Sequence, residues 1–255
     1  MLVDKERGPS SFAVVRRVRA RFGMKAGHAG TLDPFATGLL VCLLGRATRL
    51  ARYVSPLDKR YVTTIRLGVR TSTGDAEGEP IEETALPSRE EIEALRGEVE
   101  LPIPAASAVK VGGERAYRLH RRGVVLEMPI RRSTVHRLRV VRLEPPELVL
   151  ALDVSSGTYV RAIADALGGH CRELRRTAVG GFRVEEADEQ RLLSPLAAVS
   201  HLPRRELDER AARAVRNGRS VDVDADGLVV LTRDGELVAV ARAVDGHARA
   251  ETVVA

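Results

Sequence analysis

The stretch Gly27-His28-Ala29-Gly30-Thr31-Leu32-Asp33-Pro34 is the most informative part of the sequence. Its glycines allow the backbone to approach a ligand closely, and Pro34 stiffens the chain where the stretch ends. The pattern therefore predicts a rigid loop that presents one carboxylate, that of Asp33. The residues alone leave a structural alternative open, in which Asp33 caps a turn and His28 serves as a hydrogen-bonding residue.

Metal and disulfide sites are not indicated by the rest of the chain. No second histidine lies at metal-ligand spacing from His28. The only two cysteines, Cys42 and Cys171, are far apart and form no C-x-x-C motif. We therefore expect no metal and no disulfide, as is usual in a reducing cytoplasm.

The apolar segments are too short for a membrane. Residues 1–7 contain no apolar run of the kind found in signal peptides. The longest apolar run, residues 39–44, is much shorter than the roughly 20 residues that a membrane helix needs. We expect a cytoplasmic protein that neither carries a signal peptide nor spans a membrane.

Charge is distributed unevenly along the chain, whose net charge is +6. Residues 75–100 contain ten acidic side chains and only two basic ones. The basic residues concentrate in four groups: Arg16, Arg17, Arg19, Arg21 and Lys25; Arg115, Arg118, Arg121 and Arg122; Arg131, Arg132, Arg137, Arg139 and Arg142; and Arg172, Arg175 and Arg176. This grouping predicts a polyanionic partner, above all a nucleic acid. Any single group is equally consistent with a solvated protein surface.

The segments around the glycine-rich loop predict a mixed body of helices and strands. Apolar residues recur at helical spacing between the arginines, which predicts a helix from Ser11 to Phe22 that Gly23 ends. The apolar positions of this helix are Phe12, Val15, Val18 and Phe22. Residues 39–44 form a buried strand or the core of a short helix, and residues 61–67 have the alternation of a half-buried strand.

Further elements follow along the chain. We predict a polar loop over residues 71–80, followed by a helix that opens at a Ser88–Glu91 capping box and reaches about Arg96. Two strands, over residues 133–143 and 148–154, flank Pro145-Pro146. A further helix covers residues 158–167 and ends at Gly168-Gly169. Beyond residue 205, short apolar runs alternate with Asp234-Gly235 and Asp245-Gly246, which predicts β-hairpins. The fold class is therefore α+β, with a body of residues 1–200 and a small β domain of residues 205–255.

The glycine-rich stretch, together with Thr37-Gly38-Leu39-Leu40, resembles the catalytic motif of the TruB-type pseudouridine synthases. Further blocks follow in that family's order: Asp4-Lys5 with Gly8 and Ser11, Lys59-Arg60-Tyr61, Thr71-Ser72-Thr73-Gly74-Asp75, Ser107-Ala108-Val109-Lys110 with Ala116-Tyr117, Ser156-Gly157-Thr158-Tyr159-Val160-Arg161, and Leu174-Arg175-Arg176. Glu6 and Ala106 depart from the family's pattern. The resemblance covers residues 2–200.

The resemblance implies a fold as well as an activity. It implies a mixed, largely antiparallel central sheet with flanking helices, and an insertion around residues 70–125. The small domain resembles the family's PUA-like RNA-binding domain. The implied activity is conversion of uridine 55 in the T-arm of tRNA to pseudouridine after base flipping, without metal or other cofactor. A monomer that needs no protein partner is implied.

The resemblance also assigns roles to individual residues. Asp33 matches the family's catalytic carboxylate, which acts as a nucleophile at C1′ or C6 or as the base that removes the 2′ proton. These three routes remain open. Arg161 matches the arginine that pairs with this aspartate, and Tyr61 matches the tyrosine that stacks on the target base.

Substrate contacts are implied in the same way. His28 matches the histidine that occupies the space left by the flipped base. Tyr159 and Leu174 match pocket walls, although ordinary core positions explain both equally well. Lys5, Gly30 and Thr31 belong to matched motifs and are expected at the substrate-binding site.

Two other functions remain compatible with the sequence. One is a guide-dependent pseudouridine synthase of the archaeal and eukaryotic kind, against which the insertion around residues 70–125 argues. The other is a non-catalytic RNA-binding or tRNA-folding module. The joint presence of Asp33, Tyr61 and Arg161 argues against this second alternative.

Overall fold

A computed structural model describes residues 1–254 of the chain. Its larger part contains β1 (Leu2–Lys5), α1 (Ser11–Phe22), β2 (Ala26–His28), β3 (Thr37–Leu44), α2 (Ala51–Val54), β4 (Lys59–Leu67), β5 (Val69–Thr71), β6 (Pro80–Glu83), α3 (Arg89–Ala94), β7 (Gly97–Pro102), β8 (Lys110–Val111), β9 (Glu114–Arg115), α4 (Ala116–Arg121), β10 (Ile130–Glu144), β11 (Glu147–Val154), α5 (Val160–Ala166), β12 (Gly169–Val179) and β13 (Phe182–Arg183). The smaller part contains β14 (Arg204–Glu206), α6 (Glu209–Arg216), β15 (Val221–Asp222), β16 (Gly227–Arg233), β17 (Glu236–Val244) and β18 (His247–Val253).

A nine-stranded sheet forms the centre of the larger part. Its strands follow the order β1-β3-β12-β4-β11-β10-β7, with β2 added to β3 and β13 added to β12. The β12–β3 pair is parallel, and the other pairs are antiparallel. The mixed, largely antiparallel sheet is therefore confirmed. The region of residues 70–125 contributes one strand to it, because β7 pairs with β10 at its edge.

The first helix begins and ends where the sequence predicts. The Ser10 side chain caps it by accepting a hydrogen bond from the backbone of Ala13, and Gly23 ends it with a positive φ of 63°. The prediction that Phe12 lies on the apolar face is wrong, since this side chain is 70% exposed. Ser11 is buried instead, which turns the neighbouring Phe12 outward. No helix among residues 1–254 is long and apolar enough to cross a membrane.

The apolar run of residues 39–44, which follows the glycine-rich stretch, is a strand. It forms β3, which lies between β1 and β12 and is buried at six consecutive positions. A strand buried on both faces is expected to be continuously apolar instead of alternating. This packing decides between the strand and the short helix that the sequence left open.

The strands and helices that carry the matched motifs are also confirmed. The alternating burial of β4 places every second side chain, including that of Tyr61, in the core. Pro145-Pro146 joins β10 to β11, and the Ser88–Glu91 capping box opens α3. Helix α5 begins one residue before Arg161, so this arginine lies in its first turn.

The smaller part forms a five-stranded sheet in the order β14-β16-β17-β18-β15. Asp234 and Asp245 each have a φ of 51°, and the glycines that follow also have positive φ. Two successive positive φ angles are those of the tight turns that match the twist of hairpin strands. The two predicted hairpins, β16–β17 and β17–β18, are therefore confirmed.

One apolar cluster joins the two sheets. It contains Leu39 and Leu50 of the larger part together with Val230, Val240 and Val254 of the smaller part. Burial of these side chains in a common core fixes the small sheet against the larger one.

Candidate active site

The Asp33 carboxylate is paired with Arg161, as the resemblance implies. Nε of Arg161 donates a hydrogen bond to Oδ2 of Asp33 at 3.0 Å. The arginine side chain is 2% exposed and the aspartate side chain 33%. Among residues 1–254, the other carboxylate oxygen, Oδ1, receives no hydrogen bond. The carboxylate is thus held on one side by a buried cation and remains accessible on the other.

Arg161 is fixed by three separate segments. Besides its bond to Asp33, it donates from Nη1 to the carbonyl of Thr73 at 2.6 Å and from Nη2 to the carbonyl of Ala106 at 3.0 Å. A planar guanidinium can make these three bonds at once, and an ammonium group cannot reproduce their geometry. The Ala106 contact uses the backbone, so the departure from the family's pattern at this side chain leaves it intact.

A second carboxylate, that of Asp75, lies beside Arg161. Its Oδ2 is 4.0 Å from Nε of Arg161, and the residue is buried. Its Oδ1 accepts hydrogen bonds from the Thr73 hydroxyl at 2.6 Å and from the backbone of Glu77 at 3.1 Å. A buried guanidinium requires compensating negative charge, which Asp33 and Asp75 supply together. Sequence reasoning included Asp75 in a matched block but gave it no role.

An apolar surface accompanies the Asp33 loop. Tyr61 and Leu174 belong to one buried cluster with Leu32, the residue immediately before Asp33. Tyr159 is half-buried and immediately precedes α5. Tyr61 on β4 and Leu174 on β12 therefore share a cluster with the residue before Asp33, and Tyr159 lies two residues before Arg161 at the start of α5.

His28, Gly30 and Thr31 lie in the same loop region. His28 ends β2, and its Nδ1 is buried without a hydrogen-bond partner among the described residues. Burial and the nearby charge of Arg176 lower the pKa of His28, so its imidazole is neutral at pH 7. Gly30 has a φ of 94°, and Thr31 is exposed. A neutral, half-buried ring suits contact with a nucleobase better than pairing with a phosphate.

Known proteins are similar to this chain over most of its length. The family model described as "TruB family pseudouridylate synthase (N terminal domain)" matches residues 16–160. The chain belongs to the TruB family. A protein named tRNA pseudouridine synthase B from Mycobacterium sp. (strain KMS) is 40% identical, over 100% of this chain and 94% of that relative. A protein of the same name from Aromatoleum aromaticum is 41% identical, over 92% of this chain and 85% of the relative.

Solved structures agree on the fold of this TruB family member. The chain superposes on a component of a Cbf5-Nop10-Gar1 complex with a TM-score of 0.74, at 25% identity and with coverage of 100% of this chain and 84% of that one. An H/ACA RNP bound to a substrate RNA containing 2′-deoxyuridine gives a TM-score of 0.73 at 22% identity, with the same coverage. These likenesses establish the pseudouridine synthase fold.

The TruB motif at residues 27–34 is held in place by contacts that the sequence did not indicate. The Ser11 hydroxyl accepts from the backbone N–H of Leu32 at 2.8 Å and donates to its carbonyl at 2.9 Å. The Gly8 N–H donates to the carbonyl of Pro34 at 2.8 Å. The two residues that flank Asp33 are therefore both fixed, Leu32 by the first residue of α1 and Pro34 by Gly8 in the segment between β1 and α1.

Lys5 requires a correction. It is 1% exposed, and its ammonium group donates to the carbonyls of Glu6, Pro9 and Pro34 at 2.8 to 3.2 Å. Burial lowers the pKa of Lys5 to about 8, although the negative charge of Asp33 opposes the shift. All three N–H donors of Lys5 point at the protein backbone, so Lys5 supports the loop, whereas the motif match had placed it among the substrate-binding residues.

Arg176 is the strongest support of the loop. It is 1% exposed and donates from Nε to the carbonyl of Leu39 at 2.8 Å, from Nη1 to that of Thr31 at 3.2 Å, and from Nη2 to that of Gly30 at 3.0 Å. A Cβ atom on Gly38 would lie 2.2 Å from the Arg176 carbonyl oxygen, so only glycine permits this close approach. One buried guanidinium thus connects both ends of the Asp33 loop to β12.

Lys59 connects two further motif blocks. It is 5% exposed, and its ammonium donates to the carbonyls of Ser55 and Leu57 and to the Ser156 hydroxyl at 2.9 Å. Burial, followed by the charge of Arg176, lowers the pKa of Lys59 to about 8. The strand that carries Tyr61 is in this way tied to the turn that precedes α5.

The basic groups are divided between structural and accessible positions. Arg172 and Arg175 form salt bridges with carboxylates, and Arg176 is buried. The prediction that this group contacts a polyanion is therefore wrong for Arg176. On α1, by contrast, Arg16 and Arg19 are exposed, and no carboxylate among residues 1–254 lies within 4.0 Å of either side chain.

Proposed function

We propose that this TruB family protein converts uridine 55 in the T-arm of tRNA to pseudouridine. The observation that carries the proposal is the Asp33 carboxylate, which pairs through Oδ2 with the buried Arg161 and has its other oxygen free. The full-length similarity to relatives named tRNA pseudouridine synthase B supports tRNA as the substrate.

The reaction is a rearrangement within one nucleotide. The C1′–N1 bond breaks, the uracil turns, and C1′ joins C5; the C5 proton is lost and N1 gains one. Attack at C1′, attack at C6 and removal of the 2′ proton all begin from an ionised carboxylate. The guanidinium of Arg161 pairs with the carboxylate and fixes its position, and the unbonded Oδ1 is available to the nucleotide.

The target base must leave the RNA stack before it can meet Asp33. Unstacking costs about a few kcal/mol, which contacts in the active site have to offset. Tyr61 offers a ring for stacking, and Leu174 belongs to the same buried cluster. Tyr159 adds a half-buried ring two residues before Arg161. We assign the uracil to this surface.

His28 and the adjoining loop face the rest of the RNA in this proposal. A neutral imidazole can occupy the space that the flipped base leaves without bringing a charge into the stack. Gly30 and Thr31 lie between His28 and Asp33, and Thr31 is exposed. These two residues therefore contact the nucleotide that joins the stacked and the flipped parts of the RNA.

The organisation of the chain into domains belongs to the same proposal. Residues 1–200 act as the catalytic domain, with residues 70–125 as an insertion whose backbone positions Arg161. Residues 205–255 act as a PUA-like domain that binds tRNA outside the active site. Because the relatives match the whole chain, we propose a monomer that acts in the cytoplasm without a guide RNA or protein partner.

An assay with an unmodified tRNA transcript tests the proposal. The purified protein is incubated with the transcript without cofactor or guide, and pseudouridine is mapped by carbodiimide-dependent primer extension. Wild type should give one stop in the T-loop. Asp33→Asn should bind the transcript but give no stop, while Asp188→Asn, a change at an exposed aspartate of the larger part, should react like wild type.

Two results would overturn the assignment. Absence of a T-loop stop with wild-type protein would contradict the proposed activity. Normal turnover by Asp33→Asn would contradict the role of the carboxylate, because an amide cannot serve as nucleophile or base in any of the three routes.

A further inference from the structure

Phe12 is an aromatic side chain that the fold leaves in solvent. The chain has four tyrosines and four phenylalanines, all within the described residues. Phe12 is 70% exposed, and the other seven aromatic residues are buried or half-buried. It lies in the first turn of α1, which packs its valines on the sheet and leaves this ring unused.

Two unpaired cations lie on the same side of the helix as Phe12. Arg16 and Arg19 follow it at spacings of four and seven residues, so the three side chains form a stripe along one face. We call Phe12, Arg16 and Arg19 the α1 stripe. Arg17 points to another side, where it pairs with Glu189 at 2.6 Å.

The α1 stripe begins next to the proposed active site. Ser11, the residue before Phe12, is bonded through its hydroxyl to both backbone groups of Leu32, which precedes Asp33. Phe12 is therefore the neighbour of Ser11, which contacts the Asp33 loop directly. If a uridine lies against Asp33, we expect its neighbouring nucleotides near this end of α1.

We propose that Phe12 stacks on an unpaired base of the RNA loop next to the flipped uridine, while Arg16 and Arg19 bind the adjoining phosphates. Every base offers a face for an aromatic ring, and the phosphates between successive bases require cations. An acidic protein surface would satisfy the arginines but not the isolated ring. The inference rests on the proposed function, since it takes the RNA loop as the ligand of the same site.

Binding measurements with matched variants test the stripe. Affinity for a fluorescein-labelled T-arm hairpin is measured over a series of salt concentrations in an Asp33→Asn background, which removes turnover. Phe12→Ala should weaken binding by about 5-fold to 140-fold, the range for loss of one base–aromatic stack. Arg16→Gln and Arg19→Gln should each reduce the slope of log affinity against log salt by about 0.7 to 0.9. Arg17→Gln, at a paired position on the same helix, should leave the slope unchanged.

A fluorescent base separates stacking from simple apolar contact. 2-Aminopurine is placed at each unpaired position of the hairpin in turn, and its fluorescence is recorded as protein is added. One position should be quenched by the Phe12 protein and not by Phe12→Leu, which keeps an apolar side chain without a ring. Equal quenching by Phe12→Leu, or unchanged affinity of Phe12→Ala, would overturn the proposal.

Failure of this inference is distinguishable from failure of the proposed function. Formation of pseudouridine by wild type tests the function and requires no knowledge of the stripe. If wild type forms the product while the three stripe variants bind like Arg17→Gln, the function stands and the stripe is refuted. Because the ring is exposed, we expect Phe12→Ala to unfold at the same temperature as wild type. Any loss of affinity in this variant would then not be caused by a loss of stability.

Discussion

Nε of Arg161 donates to Oδ2 of Asp33 at 3.0 Å, although 128 positions separate the two residues in the sequence. The same guanidinium bonds to carbonyls of Thr73 and Ala106. The position of the Asp33 carboxylate therefore depends on α5, on the loop after β5 and on the segment after β7. Changes in any of these segments should reach the chemistry through this one side chain.

Replacement of Arg161 by lysine should lower kcat by about 100-fold or more, because a misplaced reacting group loses most of the advantage of orientation. A single ammonium nitrogen cannot reach all three acceptors, which are bonded by three different nitrogens of the guanidinium, so the free energy of unfolding should also fall by about 3 kcal/mol. Steady-state kinetics and chemical denaturation measure the two effects. The control is Arg60→Lys, whose partner Asp153 lies at 3.0 Å in an exposed pair. A wild-type kcat in Arg161→Lys would refute the positioning role.

Asp75→Asn should reduce kcat by about 10-fold, which corresponds to about 1.4 kcal/mol of transition-state stabilisation. The amide oxygen still accepts the hydrogen bond from Thr73, so the fold should persist, but Arg161 then has a single carboxylate to balance its charge. The guanidinium is expected to shift toward Asp33 and so to displace that carboxylate. Single-turnover rates at saturating enzyme measure this change. An unchanged rate would show that Asp75 serves the fold alone.

The neighbouring serines of α1 separate two structural roles. Ser11→Ala removes both hydrogen bonds to Leu32 and should cost about 1 to 3 kcal/mol while lowering kcat. Ser10→Ala removes only the helix cap and should cost about 1 kcal/mol with kcat unchanged. Denaturation and kinetics of both variants provide the comparison. Equal kcat values in the two would contradict a role of Ser11 in holding the loop.

Arg176→Met removes the donor from three carbonyls, the buried one of Leu39 and the part-buried ones of Gly30 and Thr31. We expect a loss of about 3 to 5 kcal/mol of stability, and faster proteolytic cleavage in the loop of residues 28–38. Arg176→Lys should restore the charge but not the three-way geometry, and so recover only part of the protection. Timed proteolysis with mass spectrometry locates the cleavage. Protection equal to wild type would place the support of the loop elsewhere.

Lys59 should produce a stability difference that depends on pH. Its pKa in the folded protein, about 8, lies below the ordinary value of 10.5. Between these values the unfolded chain binds more protons, so a rise in pH stabilises the folded state of wild type. The stability of wild type relative to Lys59→Met should therefore increase by roughly 1 kcal/mol from pH 8 to pH 9. Denaturation curves at both pH values measure this difference in stability. The two cysteines titrate alike in both proteins, so their contribution cancels in the difference. A constant difference would refute the shift.

Much of the local structure follows from sequence pattern. Helix α1, with its cap at Ser10 and its end at Gly23, and the hairpins at Asp234 and Asp245 match because neighbouring residues decide them. The burial of Lys5 and Arg176 could not be foreseen in this way. Both residue types are usually exposed cations. Arg176 is buried because its nitrogens bond to backbone carbonyls of a distant segment, and Lys5 because its ammonium bonds to the carbonyl of Pro34 as well as to the nearby carbonyls of Glu6 and Pro9.

The sequence by itself determined the order of elements, the turn chemistry and the motif that carries Asp33, since these depend on periodicity and on backbone preferences of single residues. Only the tertiary structure decided which charged side chains lie inside. It turned Lys5 and Arg176 toward the Asp33 loop, Lys59 toward the carbonyls of Ser55 and Leu57, and Phe12 toward solvent. The physical reason is that the direction of a side chain depends on acceptors and packing surfaces supplied by segments far away in the chain.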